Sequence, residues 1–295
     1  MGNQHPLFAA ALNNLAFNYS KQRLFSEAIP LHQEVIHILE IAEESNHPEY
    51  ASAMLNLAFC YEKTGQNGDA EKLYLKALDK KEQTIGKKHP SYISTLNLLV
   101  GLYIHTLRLE NAKTTLYKAL DLNSNHSILL NLNDLNFFNS LSTFHYKQEA
   151  ISSLEKLSKL LSIEYYKSGD VKKLEQQLYC SNYTMALLEQ YRHEFSAEQD
   201  RIRITSMTPR IAEKGLEAIW ELQQKKNNPT LKQNAFAYFE QTKSSVLREI
   251  LQSKQSKHFG ELPPKLLLRI ETLQQKQASL HAKVLTVNKE TTTKT

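Results

Sequence analysis

Glycine and proline are scarce in this sequence, eight of each among 295 residues, and no stretch alternates β-branched with polar side chains. Sheet-rich folds need both the turn residues and that alternation, so they are excluded. Leu, Ala, Lys, Glu and Gln stand in their place. These residues keep their side-chain freedom in a helix, and the composition points to an all-α chain. Long hydrophobic runs are missing too. Nowhere do eighteen uncharged apolar residues follow one another, and no basic segment precedes an apolar one near Met1, so neither a membrane span nor an export signal is expected. The expectation is a soluble, cytoplasmic protein with no membrane partner. The two cysteines, Cys60 and Cys180, have no neighbouring Cys or His pair and read as small buried hydrophobes in a reducing compartment.

Acidic charge is thin only locally. Of 36 Lys/Arg and 31 Asp/Glu in the whole chain, residues 201–295 hold 17 and 8, leaving 19 and 23 for residues 1–200. The C-terminal positive charges are interleaved with apolar residues at helical spacing, which describes a solvated helix face better than a nucleic-acid stripe. A nucleic-acid-binding array therefore ranks last among the functional readings. No Gly-rich phosphate loop is present, and the eleven His form no pair with carboxylates at ligand spacing, so neither cofactor nor metal is expected. His32 and His37 fall off one helical face, which suits a core and a surface role. Trp220 lies in the apolar phase of its helix with Leu216 and Ile219, and core packing is expected of it.

What the sequence does have is a long period. His5-Pro6, His47-Pro48 and His89-Pro90 recur at an interval of 42. Aligned on them, columns repeat in type: Leu12/Met54/Leu96, Leu15/Leu57/Leu99, Ala16/Ala58/Val100, Tyr19/Tyr61/Tyr103, Ala28/Ala70/Ala112, His32/Tyr74/Leu116 and Val35/Ala77/Ala119. Within a period the positions fall at i, i+3, i+4 and i+7, then shift phase after a turn, which is the pattern of a helical hairpin. The small columns let paired helices approach closely while Leu and Tyr fill the space beside them. Thr64–Gly68 offers backbone freedom for the second turn. Each Pro marks a helix start, because its ring suits the first turn and disfavours helix in the residue before it.

These columns resemble the tetratricopeptide repeat (TPR), with its Leu, small, Tyr, Ala, aromatic and Ala positions. The extra length, seen in "DKKEQTIGKKHP" (Asp79–Pro90), and the string "LNNLA" (Leu12–Ala16) resemble the long variety found in kinesin light chain and related bacterial proteins. Pro30, early in a second helix, and Gly101, in the Phe17/Phe59 column, depart from the pattern. The resemblance implies a right-handed TPR superhelix, an α-solenoid of antiparallel hairpins. Three hairpins are expected in residues 1–122 and a degenerate fourth in 123–168, carried by "LSTFHYKQEAISSLEKL" (Leu141–Leu157). Gly169 suits the end of that helix and Asp170 the start of another, to about 195. A further helix should begin at Thr208-Pro209. Residues 169–290 then form a helical extension, with Phe236, Phe239, Val246, Leu247, Ile250 and Leu251 at apolar spacing, and 291–295 a disordered polar tail.

A second resemblance lies in "AFAYFEQTKSSVLREIL" (Ala235–Leu251) and "LPPKLLLRIETLQQKQASL" (Leu262–Leu280). Together they are similar to the segment preceding the caspase-like domain of bacterial CHAT proteins, which carry TPRs upstream. This resemblance implies that the chain is the N-terminal repeat region of such a protease, the CHAT domain itself being absent. Glu240 and Lys243 would pair on a helix surface and form a docking face for that domain. A caspase-like enzyme activates a Cys thiolate with a His, each on a loop at a strand end, and no strand-forming region carries them here. The fragment is expected not to be an enzyme.

In TPR arrays the first helices line a concave face that binds peptides or partner helices. Placed that way, three columns face inward: Asn14/Asn56 with an offset Asn97, Phe17/Phe59, and Lys21/Lys63/His105. Amides can bond a peptide backbone, Phe supplies apolar area, and Lys attracts acidic groups. The expected partner is a protein or peptide, extended and acidic, with the downstream caspase-like domain as a second. A third-repeat base is wanting at Ser94 and Leu98, which argues against capture of a chaperone C-terminus. The expected function is a non-catalytic scaffold that senses or regulates for a CHAT-type protease; the alternative is a stand-alone TPR adaptor.

Overall fold

The computed structural model describes residues 6–42, 47–124 and 144–225, together with Leu231, Ala235, Phe236, Tyr238 and Glu240. All belong to the first of the two units into which the chain divides, Met1–Val246. The helices are α1 (Pro6–Lys21), α2 (Phe25–Ile41), α3 (Pro48–Lys63), α4 (Asn67–Ile85), α5 (Pro90–His105), α6 (Leu109–Leu122), α7 (Lys147–Ser168), α8 (Val171–His193), α9 (Glu198–Thr205) and α10 (Thr208–Lys225). Among the described residues there is no strand, and no helix is long and apolar enough to cross a membrane.

The 42-residue period is a period of backbone geometry as well as of side chains. His47 and His89 are extended, as residues before Pro must be, and each Nδ1 accepts the backbone N–H two residues on, from Glu49 at 3.2 Å and Ser91 at 3.1 Å. The imidazole thus serves as the N-cap while Pro occupies the position whose N–H would have gone unused. At the hairpin turns, Arg23, Gly65 and Leu107 all adopt positive φ, at 63°, 83° and 57°. Each turn closes with the same bond, in which the next residue donates to the carbonyl of Tyr19, Tyr61 or Tyr103 at 2.8–2.9 Å. The three tyrosines therefore share one backbone setting, with Tyr103 buried and Tyr19 and Tyr61 half-buried.

Packing follows from the small columns. Ala16, Ala58, Val100, Ala28, Ala70, Ala112, Val35, Ala77 and Ala119 are all fully buried. Helices α3 and α5 pack on α2 and α4 of the hairpins before them, so Leu57 and Leu99 are buried. Leu15, with no described hairpin before it, remains 46% exposed. Neighbouring hairpins thus share one stripe of core, and the described helices stack as a solenoid.

Polar residues also enter that core, Lys81 and His32 among them. Lys81 stands in the column Leu39/Lys81/Asn123 and is buried. Its ammonium donates to Ser91 O, Ser91 Oγ and Thr95 Oγ1 at 2.7–3.1 Å. Burial with only neutral acceptors pushes this lysine down to about 8. His32, in the column whose other members are Tyr74 and Leu116, is fully buried against Asn13.

Beyond the three hairpins, α6 ends at Asn123, which binds the start of α7. Helix α7 closes with left-handed Gly169, and Asp170 caps α8 by accepting Lys172 N–H at 3.0 Å. Helix α8 ends two residues short of the expected limit, and α10 starts at Thr208 as expected. The short α9 was not legible, since eight residues carry too little amphipathic pattern. Residues 125–143, Phe239, Val246, Leu247, Ile250, Leu251 and the tail 291–295 lie outside the described residues.

Two expectations about the C-terminal aromatics are corrected. Trp220 is 67% exposed, because α10 buries Ile211, Ala212, Gly215, Ala218, Ile219 and Leu222 and turns position 220 away from that stripe. Phe236 is likewise exposed, and Tyr238 is the aromatic that goes inside. Its hydroxyl donates to Asn182 Oδ1 at 2.6 Å, and its ring lies over Gly215, where a Cβ would meet Tyr238 Cζ at 2.4 Å. Only glycine lets that ring approach.

Candidate functional site: the first-helix face

Helices α1 and α3 lie against each other, as do α5 and α7. On α1 and α3 the side chains left uncovered by the hairpin core repeat one period apart. Phe17 and Phe59 are 42% and 37% exposed, and Asn14, Lys21 and Lys63 are exposed, with Asn56 half-buried. Lys21 Nζ lies 4.9 Å from the Phe17 centroid and Lys63 Nζ lies 5.0 Å from that of Phe59. The same cation-over-aromatic unit is thus presented twice, each worth about 0.5–1 kcal/mol at an exposed site. Phe59 is also met edge-on by Phe25 at 6.1 Å, and Lys63 donates to Glu62 at 2.9 Å. Asn56 Nδ2 approaches Asn13 Oδ1 at 3.5 Å, while the Asn14 amide has no hydrogen-bond partner among the described residues.

Asn97 does not belong to this face. It is 3% exposed, donates to Glu149 O at 3.2 Å and accepts from Ser153 Oγ at 2.8 Å, so its amide is spent holding α5 to α7. Its column is Asn13/Leu55/Asn97, one position before Asn14/Asn56/Leu98, and one residue turns a helix by about 100°. Asn13 is buried too. It donates to Glu49 Oε2 at 2.6 Å, and His32 Nδ1 lies 3.0 Å from its Oδ1. That bond requires the Nδ1–H tautomer, which leaves His32 Nε2 without a partner among the described residues. Burial pushes this imidazole down to about 4.

In the third repeat His105 is exposed, but Gly101 replaces the aromatic. The space is approached by a residue that the sequence did not single out. Lys156 of α7 brings its Cε to 3.9 Å from where a Gly101 Cβ would stand, and its Nζ donates to Ser152 Oγ at 2.9 Å. A glycine in an aromatic column, with a lysine in the next repeat, was the available signal. Glu240 is half-buried and Lys243 lies outside the described residues, so the pairing expected of them does too.

The face offers hydrogen bonds, apolar area and positive charge. Both thiols are buried and raised, Cys60 mainly by burial against its bond with Ser20 and Cys180 to about 12, so neither is an activated nucleophile. Among the described residues no three His, Cys, Asp or Glu are grouped to hold a metal ion.

Comparison with known proteins agrees with this geometry. Residues 7–83 and 51–125 match the family model for the tetratricopeptide repeat, so the hairpins α1 to α6 are TPRs. The fold as a whole is similar to that of nearly identical TPR-like repeats assigned to a kinesin light chain of Podosopora anserina. The likeness to that structure has 18% identity and a TM-score of 0.52, over 86% of this chain and 99% of the other. It is similar also to BtubC (BKLC) of P. vanneervenii, at 14% identity and a TM-score of 0.51, over 87% and 85% of the two chains. At these identities the likeness is one of fold. No curated protein matches the sequence. The described helices thus form an all-α solenoid, of which residues 7–125 carry tetratricopeptide repeats.

Proposed function

We propose that the α1–α3–α5 face is a binding groove for an extended, acidic segment of a protein partner, and that the chain is non-catalytic. The observation that carries this reading is the doubled Lys-over-Phe unit of Lys21/Phe17 and Lys63/Phe59, each preceded one turn earlier by Asn14 or Asn56. A cation held over an aromatic face has little freedom left to lose on binding; Lys21 forms no ion pair among the described residues, and Lys63 shares its charge with Glu62. The finer reading is a sensing or regulatory region of a CHAT-type caspase-like protease, supported by the sequence motif at Ala235–Leu251. Partner binding would there shift how the catalytic domain is held. The alternative, a stand-alone adaptor, is favoured by the likeness of fold to kinesin-light-chain-like TPR proteins. A strand-rich downstream reading frame with a His and a Cys separates the first from the second.

The test is fluorescence anisotropy with a labelled Glu-Gly-Ser repeat peptide. Changing Asn14, Asn56, Lys21 and Lys63 together to Ala should weaken binding roughly a hundredfold, about 3 kcal/mol over four groups. Unchanged affinity refutes the groove.

A further inference from the structure

We infer that the cavity between α7, α8 and α10 is an anchor site for a carboxylate, supplied by an acidic residue of the segment lying in the groove. This inference rests on the groove reading above and extends it past the repeats. The cavity has a volume of about 370 Å³, within the range of ligand pockets and roomy enough for one acidic residue with its backbone.

Its position follows from α7. Ser152, Glu155, Lys156 and Lys159 share one helix face by spacing, and Lys156 on that face reaches Gly101 in the Phe17/Phe59 column. Glu155 and Lys159 line the cavity, so one face of α7 joins the Gly101 position of the aromatic column to the cavity.

Its floor supplies a donor. Ser158 and Ser181 are buried with their hydroxyl oxygens 3.3 Å apart, and only one of the two can donate to the other. The second proton has no acceptor among the described residues. Thr184, beside them, donates to Cys180 O at 2.7 Å and so is already committed. Leu154 and Ile211 form the apolar part of the wall.

Its rim carries three cations, Lys159, Arg210 and Lys214, together with Glu155 and Glu213. Lys214 is bound to Glu217 at 2.7 Å, and Arg210 Nη2 lies 3.3 Å from Glu155 Oε1. That contact is an ion pair without hydrogen-bond geometry, since Glu155 Oε1 has no hydrogen-bond partner among the described residues. Burial holds Glu155 above the usual carboxylate range although Arg210 and Lys156 oppose it. Lys159 is exposed and forms no ion pair among the described residues. An incoming carboxylate would find Lys159 and the outer N–H groups of Arg210 at the rim and a serine O–H below.

The test uses the full chain and three probes: the labelled Glu-Gly-Ser repeat, its Gln-Gly-Ser counterpart, and N-acetylglutamate amide as a lone carboxylate. Lys159→Gln with Arg210→Gln should weaken the Glu peptide about tenfold, and Ser181→Leu, which fills the floor without changing charge, should do likewise. Lys159→Gln alone, at an exposed site, reports a several-fold loss even if the buried variant fails to fold. The Gln peptide should bind the wild type weakly and be indifferent to these changes.

Wild-type affinity in all the cavity variants, with binding lost on Lys21→Gln and Lys63→Gln, overturns the anchor and leaves the groove standing. Loss in the cavity variants with none at Lys21 and Lys63 overturns the groove and leaves a carboxylate pocket. Saturable binding of N-acetylglutamate amide with no binding of the peptide overturns the anchor, the pocket then serving a free small acid.

Discussion

Asn123 holds Tyr146 by both backbone groups. Its Nδ2 donates to Tyr146 O at 2.9 Å and its Oδ1 accepts Tyr146 N–H at 2.9 Å. The amide, fully buried at the end of α6, thereby pins the start of α7 and joins the repeat array to the helices beyond it. Asn123→Ala leaves the Tyr146 N–H without its acceptor, while Tyr146 O keeps the Ala150 N–H, and should cost about 1–3 kcal/mol. Asn123→Asp keeps the acceptor and should cost less at a pH where the carboxyl is protonated. Urea unfolding midpoints decide; an Ala variant as stable as wild type would show that the clamp adds nothing.

The three hairpin turns allow an internal comparison. Arg23, Gly65 and Leu107 share one left-handed conformation, yet only the second is glycine. A left-handed L-residue is strained by roughly 1–2 kcal/mol, partly offset by glycine's greater freedom when unfolded. Leu107, whose side chain is exposed, should therefore become more stabilising by about 0.5–1 kcal/mol as Leu107→Gly. Gly65→Ala, where space is open and only φ objects, should lose about 1 kcal/mol. Thermal melts of the two variants should move in opposite directions, and a shared direction would contradict the equivalence of the turns.

His32 makes stability fall on mild acidification. Its folded value, about 4, lies below the ordinary 6.5, because burial disfavours the charged ring. Between those values the unfolded chain binds the proton and the folded chain does not, so stability is full above 6.5 and declines as pH drops towards 4. The decline should amount to about 2–3 kcal/mol, and His32→Leu, matching Leu116 in the same column, should abolish that share. Denaturation midpoints recorded across this window for both proteins test it, and parallel curves would rule His32 out.

Reading the sequence alone reached the helices because their determinants are local. The His-Pro starts, the small columns and the Gly169-Asp170 junction each act within a turn or two of chain. Where several neighbours compete, the reading went astray. Asn97 and Asn14 are adjacent in column and opposite in fate, since Glu149 and Ser153 lie beside one and solvent beside the other. At about 100° per residue Trp220 points away from the line of Ile211, Gly215, Ala218 and Leu222 that α10 buries. A large indole is left outside, and Tyr238 uses the space that Gly215 opens.

By itself, then, the sequence determined that hairpins repeat every 42 residues and where each begins and turns, because capping, φ preference and helical period are properties of short segments. It determined also which aromatics and lysines recur together, Phe17 with Lys21 and Phe59 with Lys63. Only the tertiary structure decided which amides were consumed in joining helices, that Lys156 takes up the row at Gly101, and that α7, α8 and α10 enclose a cavity. Those outcomes depend on which helix lies beside which, and that is set by packing between residues far apart in the chain.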